Sequence, residues 1–304
     1  MIKPKFLHLK MQSPLVLASG ILGLTASSMK RVIDFGAGAV TSKSFNLEAR
    51  AGHKGPSIVP FANGLLNAVG LSNPGVEEMV KEIALFRKRT TAPVFASIFG
   101  RTIEEYSEVA QKALESRPDL IEVNISCPNV RSEMGTPFGE SLSDTAKIVQ
   151  LVKKYSGKTP VSIKLGAHGP GVGRLAKVCE ENGADAITAI NTVGPGMIID
   201  INVQKPVLSN ITGGVSGPAI LPIAVKSVYE VYANTSLPII GTGGVTFAGD
   251  AIQMLLAGAS LVSIGTAVYS EGLEVFQKIN KGLESYLEKH NYSSITEIIG
   301  RAHE

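Results

Sequence analysis

Phe35-Gly36-Ala37-Gly38-Ala39-Val40 returns as Asn182-Gly183-Ala184-Asp185-Ala186-Ile187, and again as Ala257-Gly258-Ala259-Ser260-Leu261-Val262. In each copy a glycine closes a helical pattern, an alanine follows, and a short apolar run begins. Glycine adopts the left-handed conformation that ends a helix without steric penalty, so the phrase marks a helix C-terminus feeding a buried strand. The helical patterns are clearest at Leu175-Ala176-Lys177-Val178-Cys179-Glu180-Glu181-Asn182 and Ala251-Ile252-Gln253-Met254-Leu255-Leu256. Repetition of this kind is the signature of βα units.

Working outward, the same plan of a short apolar run ending in small or polar residues is met along the whole chain. It begins with Leu15-Val16-Leu17-Ala18-Ser19-Gly20 and Ala39-Val40-Thr41-Ser42-Lys43-Ser44, then Pro93-Val94-Phe95-Ala96-Ser97-Ile98 and the run from 120 to 126. Pro160-Val161-Ser162-Ile163-Lys164, Ala186-Ile187-Thr188-Ala189-Ile190-Asn191, Pro238-Ile239-Ile240-Gly241-Thr242-Gly243 and Leu261-Val262-Ser263-Ile264-Gly265-Thr266 complete it. Eight continuous apolar strands alternating with helices predict an α/β fold, a closed (β/α)8 TIM barrel, with every strand's C-terminal end on one face. Phe6-Leu7-His8-Leu9-Lys10-Met11 alternates and meets Ser13-Pro14, which predicts a short N-terminal strand or hairpin acting as a plug. The remaining length goes into loops inserted at the C-terminal face. The 304 residues would accommodate two domains or one barrel. No linker divides them, so a single domain over 1–304 is expected.

Lys and Arg number 29 against 26 Asp and Glu, and the basic residues are scattered. Neither a nucleic-acid nor a membrane surface is indicated, and the expected partner is a small molecule. Only Cys127 and Cys179 are present, Met1-Ile2-Lys3-Pro4-Lys5 leads into no apolar signal run, and no stretch approaches the roughly 20 apolar residues of a membrane span. A cytoplasmic, reduced protein is expected.

The barrel topology turns scattered polar residues into a constellation. Ser19, Lys43, Ser97, Asn124, Lys164, Asn191, Gly243 and Thr266 all stand at or near strand C-termini and should line one mouth. One polar residue at a strand end is a loop start. Seven or eight, with two lysines on apolar strands, are not explained by turns, because a buried lysine costs several kcal/mol unless an anion or strong acceptor meets it. Gly241-Thr242-Gly243-Gly244 after the seventh strand and Gly265-Thr266 after the eighth supply backbone N–H groups where this fold holds a phosphate. Ser216-Gly217-Pro218 offers another close backbone approach. Asn124-Ile125-Ser126-Cys127-Pro128-Asn129 ends the fourth run. Carboxamides on a strand bury groups that need partners, so two beside a thiol read as a reaction site; the bland reading makes Cys127 a small hydrophobe and the asparagines turn formers.

These residues, with Thr41-Ser42-Lys43-Ser44, Asn67-Ala68-Val69-Gly70-Leu71-Ser72-Asn73, Ile190-Asn191-Thr192 and Asn210-Ile211-Thr212-Gly213-Gly214-Val215-Ser216-Gly217-Pro218, resemble class 1 dihydroorotate dehydrogenases. Ile240-Gly241-Thr242-Gly243-Gly244-Val245 adds to the likeness, which covers almost the whole chain with its motifs in order. Class 2 relatives carry serine at the position of Cys127 and a membrane-associating N-terminal helix, neither of which is seen here. The resemblance implies a barrel holding FMN at its mouth and oxidising dihydroorotate to orotate in pyrimidine synthesis. It assigns Cys127 as the base taking a proton from C5 while hydride leaves C6 for flavin N5. A thiol with a free pKa of about 8.5 suits that task, and the loop 130–140, with Gly135 and Gly139, is the expected lid.

The same resemblance gives substrate contacts to Lys43, Asn67, Val69, Gly70, Leu71, Asn124, Asn129, Asn191 and Thr192. It gives flavin contacts to Ser19, Gly20, Lys43, Ser44, Ser97, Asn124, Lys164, Ile190, Gly217, Gly243, Gly244, Gly265 and Thr266, with Lys164 at the N1/O2 edge. Many relatives have Ser at the position of Thr192 and Asn at that of Ser97. No metal is implied; His53 and His168 are read as surface residues, and Cys179 as core. Lys205-Pro206-Val207-Leu208-Ser209-Asn210-Ile211-Thr212-Gly213-Gly214 resembles the NAD-linked group, whereas Gly265-Thr266-Ala267-Val268-Tyr269-Ser270-Glu271-Gly272 leans towards the fumarate group. The first stretch adjoins the flavin mouth and weighs more, which implies a homodimer that binds an electron-transfer subunit carrying FAD and a 2Fe–2S cluster. Two alternatives stay open: another FMN barrel acting on a pyrimidine, and a non-enzymatic phosphate-binding barrel.

Overall fold

Alternate side chains of each strand point to opposite faces, and the division of apolar from polar residues between those faces organises this molecule. The computed structural model describes residues 1–126, 138–167 and 169–304. The strands are β1 (Leu15–Leu17), β2 (Ala39–Thr41), β3 (Val94–Ile98), β4 (Leu120–Asn124), β5 (Val161–Leu165), β6 (Ala186–Ala189), β7 (Ile239–Thr242) and β8 (Leu261–Ile264). Each pairs in parallel with the next, and β8 pairs back onto β1, so the expected barrel is closed.

The helices α1 (Ala26–Asp34), α2 (Val76–Arg89), α3 (Ile103–Ala113), α4 (Leu142–Tyr155), α5 (Val172–Glu181), α6 (Leu221–Asn234) and α7 (Ala248–Leu256) return the chain between strands. The short α8 (Ala267–Glu271) and the longer α9 (Glu274–Lys289) follow β8. Outward residues such as Ile121, Val123, Ile163 and Ile187 bury against helix residues including Val109, Ile148, Leu175 and Val228. The glycines of the repeated phrase, Gly36, Gly183 and Gly258, have φ of +99, +92 and +117°, as their role at helix ends requires. At Gly258 the demand is also spatial, since a Cβ would stand 2.3 Å from the Tyr232 ring.

Inside the barrel, Val16, Ala39, Phe95, Leu120, Ala186, Ile240 and Leu261 form one apolar layer with Phe6, Leu9 and Met11. The last three come from the hairpin Lys5–Phe6 and Leu9–Lys10, which plugs the N-terminal end. Two residues further along the strands the interior changes character. Thr41, Ser97, Glu122, Ser162, Thr188, Thr242 and Ser263 are all buried, at positions where barrels of this kind usually carry branched apolar side chains. Mutual bonding makes such a layer tolerable: the Ser162 and Thr188 hydroxyls lie 2.9 Å apart, and those of Ser44 and Ser97 2.8 Å.

Over the C-terminal face lies a four-stranded antiparallel sheet in the order Val193–Gly196, Gly213–Ser216, Gly64–Asn67, Ile58–Phe61. It joins the insertion after β2 to the insertion after β6, so two segments distant in sequence roof one opening. The sequence predicts only inserted loops here. These strands carry Gly and Pro in place of an apolar alternation, and their partners are remote in the chain. Among the described residues no helix is long and apolar enough to cross a membrane.

Candidate active site at the barrel mouth

Between the strand ends and the antiparallel roof is a cavity of about 1250 Å3, its open mouth included. Lys43, Asn67, Val69, Gly70, Leu71, Asn124, Asn191 and Thr192 from the expected substrate set line it. So do Ser19, Gly20, Ser44, Lys164, Ile190, Gly217, Gly243, Gly244, Gly265 and Thr266 from the expected cofactor set. Ser97 does not: it is fully buried one layer down, beneath Ser44. Cys127, Asn129, the greater part of the expected lid and His168 lie outside the described residues. The end of that lid is described, and Gly139 N donates to Ile125 O at 3.0 Å, so the segment beyond it returns to the end of β4.

The buried cation of the site is Lys164, near the end of β5 and 4 % exposed. Its ammonium donates to Ser19 Oγ at 2.8 Å and stands 3.9 Å from Glu122 Oε1. A lysine this deep is held because both an acceptor and an opposite charge are built around it.

Carboxamides form the opposite part of the floor. Asn191 Nδ2 lies 3.3 Å from Asn124 Oδ1 and 3.1 Å from the Ser126 carbonyl, while Asn191 Oδ1 accepts from Thr192 N at 2.8 Å. Asn124 Nδ2 reaches Ser44 Oγ at a long 3.5 Å, and Tyr106 Oη donates to the Asn124 carbonyl at 3.0 Å. Asn67 Nδ2 donates to Gly214 O at 3.2 Å, which ties two roof strands together at the cavity wall. Amides present both a donor and an acceptor, so this wall suits a ring with alternating N–H and C=O groups. The segment through Val69, Gly70 and Leu71 is held from outside by Arg50 Nε on Gly70 O at 2.8 Å and His53 N on Val69 O at 3.1 Å. His53 is half-buried, with Nδ1 3.2 Å from Ala68 O, and is therefore part of this support where the sequence suggests a surface residue.

At the β7 and β8 end the wall is backbone. A Cβ on Gly244 would stand 2.6 Å from Leu221 N, and one on Gly217 2.7 Å from Gly64 Cα, so glycine is what permits these approaches. Thr266 Oγ1 donates to Ser216 Oγ at 2.8 Å. Thr242 Oγ1 is the one buried side-chain polar atom, among the described residues, with no hydrogen-bond partner, and it belongs to the cavity lining. A buried hydroxyl without a protein partner is uncommon and marks this part of the wall. Together with the Lys164 charge, the glycine-backed end and the apolar walls of Ile21, Leu65, Ile220 and Val245, it fits a flat heteroaromatic ligand with a polar, phosphate-bearing tail.

Cys179 is in α5 with no exposure, as expected of a core residue, and burial pushes its thiol up to about 12. Glu122 and Thr242 are the participants that sequence reasoning passes over. Glu122 sits inside an apolar run with the inward parity of Leu120 and Asn124, and that parity was the signal available for it.

The chain's residues 1–287 match the family model described as dihydroorotate dehydrogenase. It is 41 % identical over 304 residues to a Methanothermobacter thermautotrophicus protein named "dihydroorotate dehydrogenase B (NAD(+)), catalytic subunit", covering all of this chain and 99 % of that one. Proteins of the same name from Methanocaldococcus jannaschii and Pyrococcus abyssi are each 42 % identical, over 100 and 99 % of this chain and 99 % of their own lengths. A match of this extent, over a mouth that brings together the asparagines, lysines and glycines its motifs contain, makes the chain a member of the dihydroorotate dehydrogenase family.

Proposed function

We propose that this chain oxidises dihydroorotate to orotate in pyrimidine synthesis, as a class 1 enzyme that uses FMN. The observation that carries the reading is a cavity lined together by two lysines, three asparagines and the glycine-backed end of β7 and β8. FMN, when bound there, supplies the two-electron acceptor for the hydride from substrate C6. Lys164 would supply a positive charge to the flavin, and Thr242, Gly243, Gly244, Gly265 and Thr266 would hold its ribityl and phosphate portion. Asn67, Asn124, Asn191 and Thr192 orient the pyrimidine ring, with Lys43 between substrate and flavin. Cys127 takes the C5 proton, and Asn129 adds a further amide contact from the same segment.

The wider assignment follows from the relatives. Their printed name, a catalytic subunit of an NAD(+) enzyme, supports a partner that carries electrons onward. The chain's two cysteines fall short of the four thiolates that a 2Fe–2S cluster of the ferredoxin type takes, so the partner would bring FAD and the 2Fe–2S centre. We assign the assembly to a homodimer of this chain in the cytoplasm with that subunit bound. The test is to purify the chain alone, measure its FMN content, and assay dihydroorotate with a dye, NAD(+) and fumarate in turn. One FMN per chain with dye reduction alone is expected; brisk fumarate reduction would overturn the partner, and a colourless protein would revive the phosphate-binding barrel.

A further inference from the structure

Glu122 is 3 % exposed in the polar layer beneath the cavity, and neither the substrate set nor the cofactor set contains it. Two of its contacts stand out. Ser97 Oγ donates to Glu122 Oε1 at 2.9 Å, and the Lys164 ammonium is 3.9 Å from the same oxygen. An ionised carboxylate only accepts, so the single proton of Ser97 is committed downward and Ser97 must accept from Ser44, 2.8 Å away. Ser44, its own proton spent, accepts from Asn124 Nδ2, and Asn124 Oδ1 accepts from Asn191 Nδ2. Every bond therefore runs one way, from Asn191 through Asn124, Ser44 and Ser97 to Glu122. Hydrogen bonds aligned in one direction polarise each other in a low-dielectric interior, and the charge at the end sets that direction. With the carboxylate in place, Asn124 presents its N–H2 to Ser44 and its oxygen to Asn191, an orientation that the Ser126 N–H, 3.4 Å from the same oxygen, also favours.

We propose that Glu122 is a positioning residue for the site: its buried carboxylate holds the Lys164 ammonium from below and terminates the one-way chain that sets Asn124 to receive Asn191 at the cavity floor. The inference rests on the flavin reading given above. It accounts for a charge inside a barrel layer that packing alone would fill with an apolar residue. It also explains why Ser97, which does not reach the cavity, stands between a carboxylate and a cavity-lining serine.

The test uses the FMN-loaded protein and two readouts that packing by itself would not move. Glu122→Gln keeps size and an acceptor but removes the charge opposing Lys164. The flavin midpoint potential should shift positive, on the order of tenfold in the equilibrium against a reference dye, as expected for one charge at close range in a partly buried site. Glu122→Asp, which keeps the charge but draws it back by one methylene, should shift it in the same direction by less, and it carries the test if the glutamine variant does not fold. Ser97→Ala cuts the chain without touching the charge, and should weaken orotate binding several-fold while the potential stays at the parental value. Parental potential and parental orotate affinity in fully FMN-loaded Glu122 variants would overturn the proposal and leave the flavin reading standing. Parental protein that binds no FMN would overturn both.

Discussion

Asn191 Nδ2 donates to the carbonyl oxygen of Ser126 at 3.1 Å, so the start of the loop after β6 is bonded to the residue that precedes Cys127. The same nitrogen lies 3.3 Å from Asn124 Oδ1, and the other end of the amide accepts from Thr192 N. One side chain thus registers the ends of two non-adjacent strands. Asn191→Ala would take this donor from the Ser126 carbonyl and leave Asn124 Oδ1 only the Ser126 N–H, and a buried polar group left unmet costs about 1–3 kcal/mol. Lower stability in urea and weaker orotate binding are expected together; a variant with parental values for both would remove Asn191 from this role.

Thr242→Val should act in opposite directions on the empty and loaded protein. Oγ1 is buried without a protein partner, so replacing it with a methyl of similar shape relieves an unmet hydroxyl in the apoprotein, worth roughly 1–3 kcal/mol. In the FMN-loaded protein the same change deletes a ligand contact. Unfolding of both forms and FMN titration check this: apoprotein stability should rise and FMN affinity fall. Equal affinity would mean that the hydroxyl does not meet the ligand.

Glu180 makes a pH prediction away from the site. The hydroxyl of Ser236, at 2.6 Å, and its N–H, at 2.8 Å, both donate to Glu180 Oε1 and hold the carboxyl down from 4.5 to about 2. A depressed carboxyl contributes stability that is fully present above its ordinary value and is lost as pH falls through the folded one. Thermal unfolding should therefore show a Glu180 contribution vanishing between about pH 4.5 and 2, and Glu180→Gln should flatten the profile in that window. Since Glu180 lies in the last turn of α5 and Ser236 follows α6, the loss would be felt where those helices meet.

Cys179 should be inert in the folded protein. With its thiol raised to about 12 by burial, the reactive thiolate is scarce at pH 8. A thiol reagent followed by peptide mapping should find Cys179 unmodified until denaturant is added. Labelling of Cys179 in native protein at the rate of a free thiol would contradict the packing of α5 against the barrel.

What the sequence made legible follows its periodicities. The glycine-alanine phrase and the apolar runs mark all eight strands, because a parallel strand buried on both faces needs a continuous apolar stretch. The barrel then places Lys43, Lys164, Asn124 and Asn191 at one mouth without further information. The roof was not legible, since Gly64–Asn67 and Gly213–Ser216 pair across a long separation and carry no alternation. Glu122 was hidden for a different reason. Read as one residue in Leu120-Ile121-Glu122-Val123 it interrupts an apolar run; only the closed barrel sets it beneath Lys164. Thr242 was passed over for the glycines beside it, and only the folded chain shows its hydroxyl buried without a partner.

The central claim is that this mouth oxidises dihydroorotate with Cys127 taking the proton, and rapid anaerobic mixing of the FMN-loaded protein with dihydroorotate tests it most directly. The flavin absorbance of the parent should bleach, and Cys127→Ala should hold its FMN yet bleach more slowly by about 10²–10⁴, the usual worth of a positioned base. A full flavin complement that dihydroorotate fails to bleach would contradict the substrate, and a Cys127→Ala protein that bleaches at the parental rate would contradict the base.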